Sequence, residues 1–203
     1  MDTNMQTDSL DLTALLGSRI CHDLISPLGA IGNGVELLTM SGATQGPEVA
    51  LITQSVHSAN ARIRFFRLAF GANAAHQKIA RSEILSILDD MAPNSRMQID
   101  WQGPPETARA PAKLAFLALL CLETAMPYGG QIRVDAMHDR WRVSAKAEKL
   151  KVDPALWDQV SGNPPSAPLA AAHVQFALIA QEAQRQLRPV GVSLADTTID
   201  LNF

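Results

Sequence analysis

At His22-Asp23 an imidazole stands beside a carboxylate, inside the helical stretch LGSRICHDLISPLGAIGNGVELL that spans residues 16–38. A neutral imidazole nitrogen is a good nucleophile in the physiological range, because the group titrates near pH 6.5. It can attack phosphorus and hold the phosphoryl group as a high-energy phosphoramidate. A neighbouring carboxylate can accept a hydrogen bond from the other ring nitrogen, fix the tautomer and raise the nucleophilicity. Consecutive helical side chains diverge by about 100°, so sequence adjacency alone leaves this role for Asp23 open. Pro27, five residues after the histidine, removes the hydrogen bond its N–H would give to the carbonyl of Asp23 and is expected to bend the helix there.

Such a histidine needs a scaffold. Ile20, Leu24, Leu28, Ile31, Val35 and Leu38 recur at steps of three and four, the apolar seam of a helix that starts near Ser9, after a polar and frayed segment 1–8. The stretch 40–47 contains Gly and Pro and reads as a turn. Val49, Ile52, Val56, Ala59, Ile63, Phe66 and Phe70 then mark a second long helix, so the two should form an antiparallel hairpin. His22 lies about 200° around the helix from Leu24 and is expected to face outward. Ser18, Ser26 and Gly29 share its stripe; they are small and leave room for another protein's surface, with Arg19 within one turn. A hairpin cannot cover both seams by itself. A second copy of the chain, forming a four-helix bundle in a homodimer, is the expected cover; the C-terminal half of the same chain is the alternative.

Beyond the linker at 71–77 the pattern changes, so the chain divides into a helical hairpin (1–75) and a mixed α/β region (76–203). The latter is expected to hold a helix at 82–91 capped by Ser82, a strand at 97–101 and a strongly apolar helix at 111–126. Paired strands at 131–136 and 141–147 follow, with a turn at 138–140, then a short helix capped by Asp153. A long helix at 169–187 and a final hairpin complete it. The fold class is α+β, with helices on one face of a largely antiparallel sheet.

Composition narrows the function classes. A 203-residue chain can bury a real core, and 47% hydrophobic with 18% charged residues describes an ordinary globular protein. A net charge of −3 gives no overall field for nucleic acid or an anionic membrane. Cys21 and Cys121 form no CxxC pair, which argues against a disulfide framework or zinc site. No secretion signal opens the chain, and the longest apolar run, 114–122, is about half the ~20 residues a membrane span needs. A reduced, cytoplasmic protein without metal or cofactor of its own is expected. Gly29, Gly32 and Gly34 do not form a phosphate loop, since no Lys-Ser/Thr follows. His57, His76, His138 and His173 show no ligand spacing and are expected to be structural or exposed.

The run His22-Asp23-Leu24-x-x-Pro27-Leu28 resembles the phosphoacceptor motif of histidine-kinase dimerisation domains. The second half resembles the ATP-binding domain of that family, the GHKL or Bergerat fold, in its order of elements. Its nucleotide boxes are missing. Leu120 and Thr124 stand where magnesium-binding asparagines would, and Pro127 replaces a usual basic residue. Residues 145–149 lack the glycines of the adenine loop, and 168–172 those of the phosphate loop. An anionic triphosphate needs metal ligands and open backbone N–H groups, so the chain is expected neither to bind ATP nor to phosphorylate itself.

Over nearly its whole length, and most closely in Cys21-His22-Asp23, Ser26-Pro27 and 70–72, the chain resembles the ChpT family of alphaproteobacterial histidine phosphotransferases. That resemblance implies a homodimer. It implies that His22 accepts a phosphoryl group from the receiver domain of a hybrid kinase and passes it to response regulators, with magnesium held by the receiver. Two alternatives stay open: a receiver-binding adaptor that carries no phosphate, and an autokinase with a divergent nucleotide site. Receivers carry an acidic pocket, so Lys146, Lys149 and Lys151, in the loop replacing the adenine box, are candidate docking residues beside Ser18, Arg19, Ser26 and Gly29.

Overall fold

The computed structural model describes residues 3–41, 46–72, 76–137, 140–164 and 168–203. Helices α1 (Thr3–Ser41) and α2 (Pro47–Ala69) form the hairpin. α1 starts earlier than expected, since no Gly or Pro stops it before Ser9, and it continues through Pro27 without interruption. The expected turns at 40–47 and 138–140 and the linker at 71–77 lie partly outside the described residues.

The α/β unit follows in the order β1 (Lys78–Ala80), α3 (Arg81–Met91), β2 (Met97–Gln102), β3 (Glu106–Ala108), α4 (Arg109–Ala125), β4 (Gly130–Met137), β5 (Arg140–Lys146), α5 (Pro154–Val160), α6 (Val174–Arg185), β6 (Gly191–Leu194) and β7 (Thr198–Asn202). Five strands make one sheet in the order β2-β4-β5-β7-β6. The β2–β4 pair is parallel and the others are antiparallel. A parallel pair needs a crossover, and α4 supplies it. Alternation sorts the sheet faces: Ile132, Val134 and Ala136 of β4 are buried with Trp141, Val143 and Ala145 of β5, while Arg133, Asp135 and Arg142 stand on the other face in ion pairs.

α4 is the centre of the core, with every residue from Pro111 to Leu122 buried. Phe116 packs against Trp101 of β2 on one side and Phe65 of α2 on the other, with ring centroids at 5.8 and 4.8 Å. The lower end of the hairpin is thereby part of the same core as the sheet. Polar clasps fix the junction: Arg109 donates from Nη2 to the Arg67 carbonyl at 2.8 Å. Lys113 Nζ reaches both the Gly71 carbonyl and Glu182 Oε2 at 3.0 Å. A buried cation is tolerable here because two acceptors satisfy it.

Two local expectations need correction, and one strand pair was not foreseen. Ser82 does not cap α3: the helix springs directly from β1, its N-cap is Ala80, and the Arg81 N–H is taken by the Pro105 carbonyl at 2.8 Å. The helix expected over 169–187 is shorter, because its first turn is a 3-10 turn at Ala171–His173 and its end is closed by Leu187 in the left-handed region. The small β1–β3 pair had no signal in the sequence pattern, being two three-residue strands held by tertiary contacts. Asp153 does cap α5, accepting from the Ala155 N–H at 3.0 Å.

The hairpin seam is also narrower than expected. α1 meets α2 along Ile20, Leu24, Pro27, Ile31, Gly34 and Leu38, which are buried or half-buried. Leu28 and Val35 fall to one side and remain 58% and 48% exposed. Gly34 explains the shift: a Cβ there would come within 2.5 Å of the Ile52 side chain, so glycine lets the two backbones approach. In α2, Phe66 turns into the chain's own core at 5% exposure, whereas Ile63 stays 48% exposed. Of the two covers foreseen for the second seam, the chain itself supplies one at Ala59 and Phe66. Val56 and Ile63 remain open to solvent.

Candidate functional site

The seam direction decides where His22 points. From Gly34, His22 lies roughly 120° around α1 by helical geometry, clear of α2, and its side chain is 86% exposed. Ser18, Ser26 and Gly29 are exposed around it. A Cβ added at Gly29 or Gly32 would meet nothing within 4 Å, so the surface beside the imidazole is open.

Asp23 and Arg19 take the opposite course and turn inward. Asp23 Oδ1 lies 3.1 Å from His22 Nδ1, and its side chain is only 10% exposed. Its other oxygen, Oδ2, accepts from Arg19 Nε at 2.9 Å, an i,i+4 pair on the inner flank of the helix. Arg19 Nη1 then donates to the Ala172 carbonyl at 2.6 Å. An ionised carboxylate can only accept hydrogen bonds, so the 3.1 Å contact calls for the proton on Nδ1. That leaves the Nε2 lone pair free. The arrangement is an exposed nucleophilic nitrogen backed by a nearly buried carboxylate. Arg19, expected on the partner-facing surface, is instead 14% exposed and committed to bonds within the chain.

A groove runs beside this turn, lined by Asp23, Ser26 and Pro27 of α1, Ser55 and Arg62 of α2, and Asp90 of α3. Its α2 residues did not stand out in the sequence. The signal was there, since Ser55, Ser58 and Arg62 follow one another at helical spacing on the polar side of the apolar seam.

The other site residues sit elsewhere. Lys149 and Lys151 are exposed beyond the C-terminal end of α4, where the Lys151 N–H caps the Ala125 carbonyl at 2.8 Å. Lys149 Nζ lies 5.7 Å from the ring centre of the exposed Tyr128. Gly129 adopts φ +88°, and a side chain there would strike the Arg96 carbonyl, so Gly129 and Gly130 serve the turn into β4. Where nucleotide boxes would stand, Leu120 is buried and the Thr124 hydroxyl accepts from Gln175 Nε2 at 2.9 Å. α6 lies directly on α4 there, joined also through Lys113–Glu182 and through Gln186 Nε2 to the Ala110 carbonyl at 2.8 Å. Among the remaining histidines, His57 and His76 are exposed, His173 packs its ring at 6.3 Å from Phe176, and His138 lies outside the described residues. Cys121 is fully buried, which pushes its thiol up and leaves it unreactive; the nearby Arg19 charge works weakly the other way. Among the described residues, no cluster of His, Cys, Asp and Glu could hold a metal ion and no helix is long and apolar enough to cross a membrane.

Known proteins share this plan. The sequence profile of the histidine phosphotransferase C-terminal domain matches residues 81–198. Along its whole length the chain is 36% identical to the protein phosphotransferase ChpT of Brucella abortus (strain 2308), covering 99% of that protein. A solved structure of a bacterial phosphotransferase superposes with a TM-score of 0.78 at 33% identity, covering 95% of each chain. With a helical hairpin carrying a histidine and an α/β unit matched by its C-terminal profile, the chain belongs to the family of ChpT-type histidine phosphotransferases, proteins of two-component phosphorelays.

Proposed function

We propose that His22 is the residue that carries the phosphoryl group, taken from an aspartyl phosphate of a hybrid kinase receiver domain and passed to the receiver aspartate of a response regulator. The observation that carries this reading is the exposed imidazole whose Nδ1 is bound, at 3.1 Å, to a nearly buried carboxylate. In the forward step the Nε2 lone pair attacks phosphorus and the P–O bond to the receiver aspartate breaks, its electron pair returning to that carboxylate. The Nδ1 proton stays in place against Asp23, which stabilises the positive charge that develops on the ring. In the second step a receiver carboxylate attacks, the P–N bond breaks, and the pair returns to Nε2. No proton need be exchanged with solvent, so the chain's task is to position the imidazole.

On the same reading the protein works as a homodimer, with Leu28 and Val35 of α1 and Val56 and Ile63 of α2 meeting their counterparts in a four-helix bundle. Magnesium belongs to the receiver, and α6 lying on α4 supports an α/β unit that has given up nucleotide. The exposed Lys149 and Lys151 are docking candidates on this view. The free thiols of Cys21 and Cys121 suit a cytoplasmic setting.

Incubation with a receiver domain carrying labelled aspartyl phosphate and magnesium tests the reading. Label should move onto this chain as an acid-labile, base-stable phosphoramidate, and His22→Gln should abolish it by at least about a thousandfold with the fold retained. Label on the His22→Gln protein would overturn the assignment. A wild-type protein that binds the receiver but takes no label would be an adaptor, and label from ATP alone would restore the autokinase.

A further inference from the structure

The bonds behind His22 continue past Asp23 into the α/β unit. We propose that Arg19 is a positioning residue for phosphoryl transfer, through which the α/β unit holds His22 in its reactive tautomer; this rests on the reading of His22 as the acceptor. Arg19 Nε holds Asp23 Oδ2 at 2.9 Å, Asp23 Oδ1 holds His22 Nδ1 at 3.1 Å, and Arg19 Nη1 holds the Ala172 carbonyl at 2.6 Å. One guanidinium therefore joins a carboxylate on its own helix to a backbone carbonyl 153 residues away.

The far end of this strut is firmly built. Ala172 belongs to the 3-10 turn Ala171–His173 that leads into α6. The His173 N–H returns to the Ala170 carbonyl at 2.9 Å. The next three residues, Val174, Gln175 and Phe176, are buried, and Gln175 is tied to Thr124 of α4. The near end, by contrast, would be loose without help. Asp23 has rotamers that point to solvent, and consecutive helical residues naturally diverge by about 100°. Holding Oδ2 from below leaves Oδ1 facing the imidazole. Arginine suits the task because its planar fork sends two donors in separate fixed directions; a lysine ammonium can match the charge but not both directions.

This gives the loop at 168–172 a role with no nucleotide in it. The carbonyl it presents orders the pair next to the acceptor histidine, so the α/β unit acts on chemistry that takes place on the hairpin.

The test measures the 15N signature of the His22 ring, at a pH where it is neutral, and the rate of phosphate acceptance from a labelled receiver. In the wild type the ring should carry its proton mainly on Nδ1; a ring protonated mainly on Nε2 would overturn the proposal without any variant. Arg19→Ala should move the population toward Nε2–H and slow acceptance by roughly ten- to hundredfold, with receiver binding unchanged. Arg19→Lys should recover part of the rate but not the full tautomer bias. Should Arg19→Ala not fold, Arg19→Gln, whose shorter amide cannot reach both Asp23 and the Ala172 carbonyl, carries the same expectation. Wild-type tautomer and rate retained in a folded Arg19 variant would remove Arg19 from the reaction while leaving His22 as acceptor. Failure of the wild type itself to take label would instead count against His22.

Discussion

The upper part of the hairpin and the α/β unit bury their apolar side chains very differently. In α4 an unbroken run from Pro111 to Leu122 is inside, whereas in the hairpin Leu28, Val35, Val56 and Ile63 stand on the surface of the single chain. The α/β unit has a finished core, to which the lower end of α2 contributes. The hairpin has finished only its lower end, where Phe65 and Phe66 join that core. Exposed apolar side chains clustered on one element point to an association surface, while single ones scattered elsewhere do not. The nucleophile is placed on the unfinished element and its support comes from the finished one, since Arg19 reaches the Ala172 carbonyl. Rigidity in one region thus permits openness in the other.

That contrast can be broken at its strongest point first. Phe65→Ala removes the ring that packs against Phe116 at 4.8 Å and should cost about 3–5 kcal/mol of stability. Both regions should melt together in one transition at a lower temperature, measured by circular dichroism. Two separate transitions would mean that hairpin and α/β unit are held apart energetically despite their shared core.

Ile63→Asp, one turn from Phe66, should leave the melting of the protomer fold nearly unaltered, because the side chain is already solvated in the single chain. In a bundle of two chains it would bury an unpaired carboxylate, at a cost of several kcal/mol. Light scattering should then report monomer in place of dimer. An undiminished dimer would show that this flank of α2 is not the association surface.

The smallest effect is expected on the sheet face away from the core. Burial acts to raise the Asp200 carboxyl, but hydrogen bonds from Ser144 at 2.7 Å and from Arg142 outweigh it and hold the group below its usual value. A lowered carboxyl contributes stability above its unfolded pKa, near 3.9, and loses it as pH falls through the folded value. Asp200→Asn should therefore remove about 0–1 kcal/mol at neutral pH, discounted for solvent screening, and flatten the loss of stability below about pH 4. Denaturant titrations at pH 7 and pH 3 would check it; an equal loss at both would assign the effect to packing.

Periodicity in the sequence was enough for α1, α2 and the β4–β5 pair, because each buries one regular face and an apolar stripe of fixed period records that demand, while α4, buried all round, shows as an unbroken apolar run. The same logic placed His22 outward, since a residue off the seam has nowhere else to point. Asp153 as a cap was legible for a related reason: local backbone chemistry is written in local residues. What tertiary structure alone decided lies where distant segments compete for the same side chain. Arg19 had a free-looking place beside the histidine, yet a carbonyl from residue 172 claims it. Phe66 and Ile63 share one apolar periodicity, but the core shared with the α/β unit takes the first and leaves the second half exposed. Ser82 lost its cap to a strand that ends in Ala80 and to the Pro105 carbonyl. A stripe of residues states that a face will be buried; which neighbour buries it depends on packing among segments far apart in the chain, and that no local pattern contains.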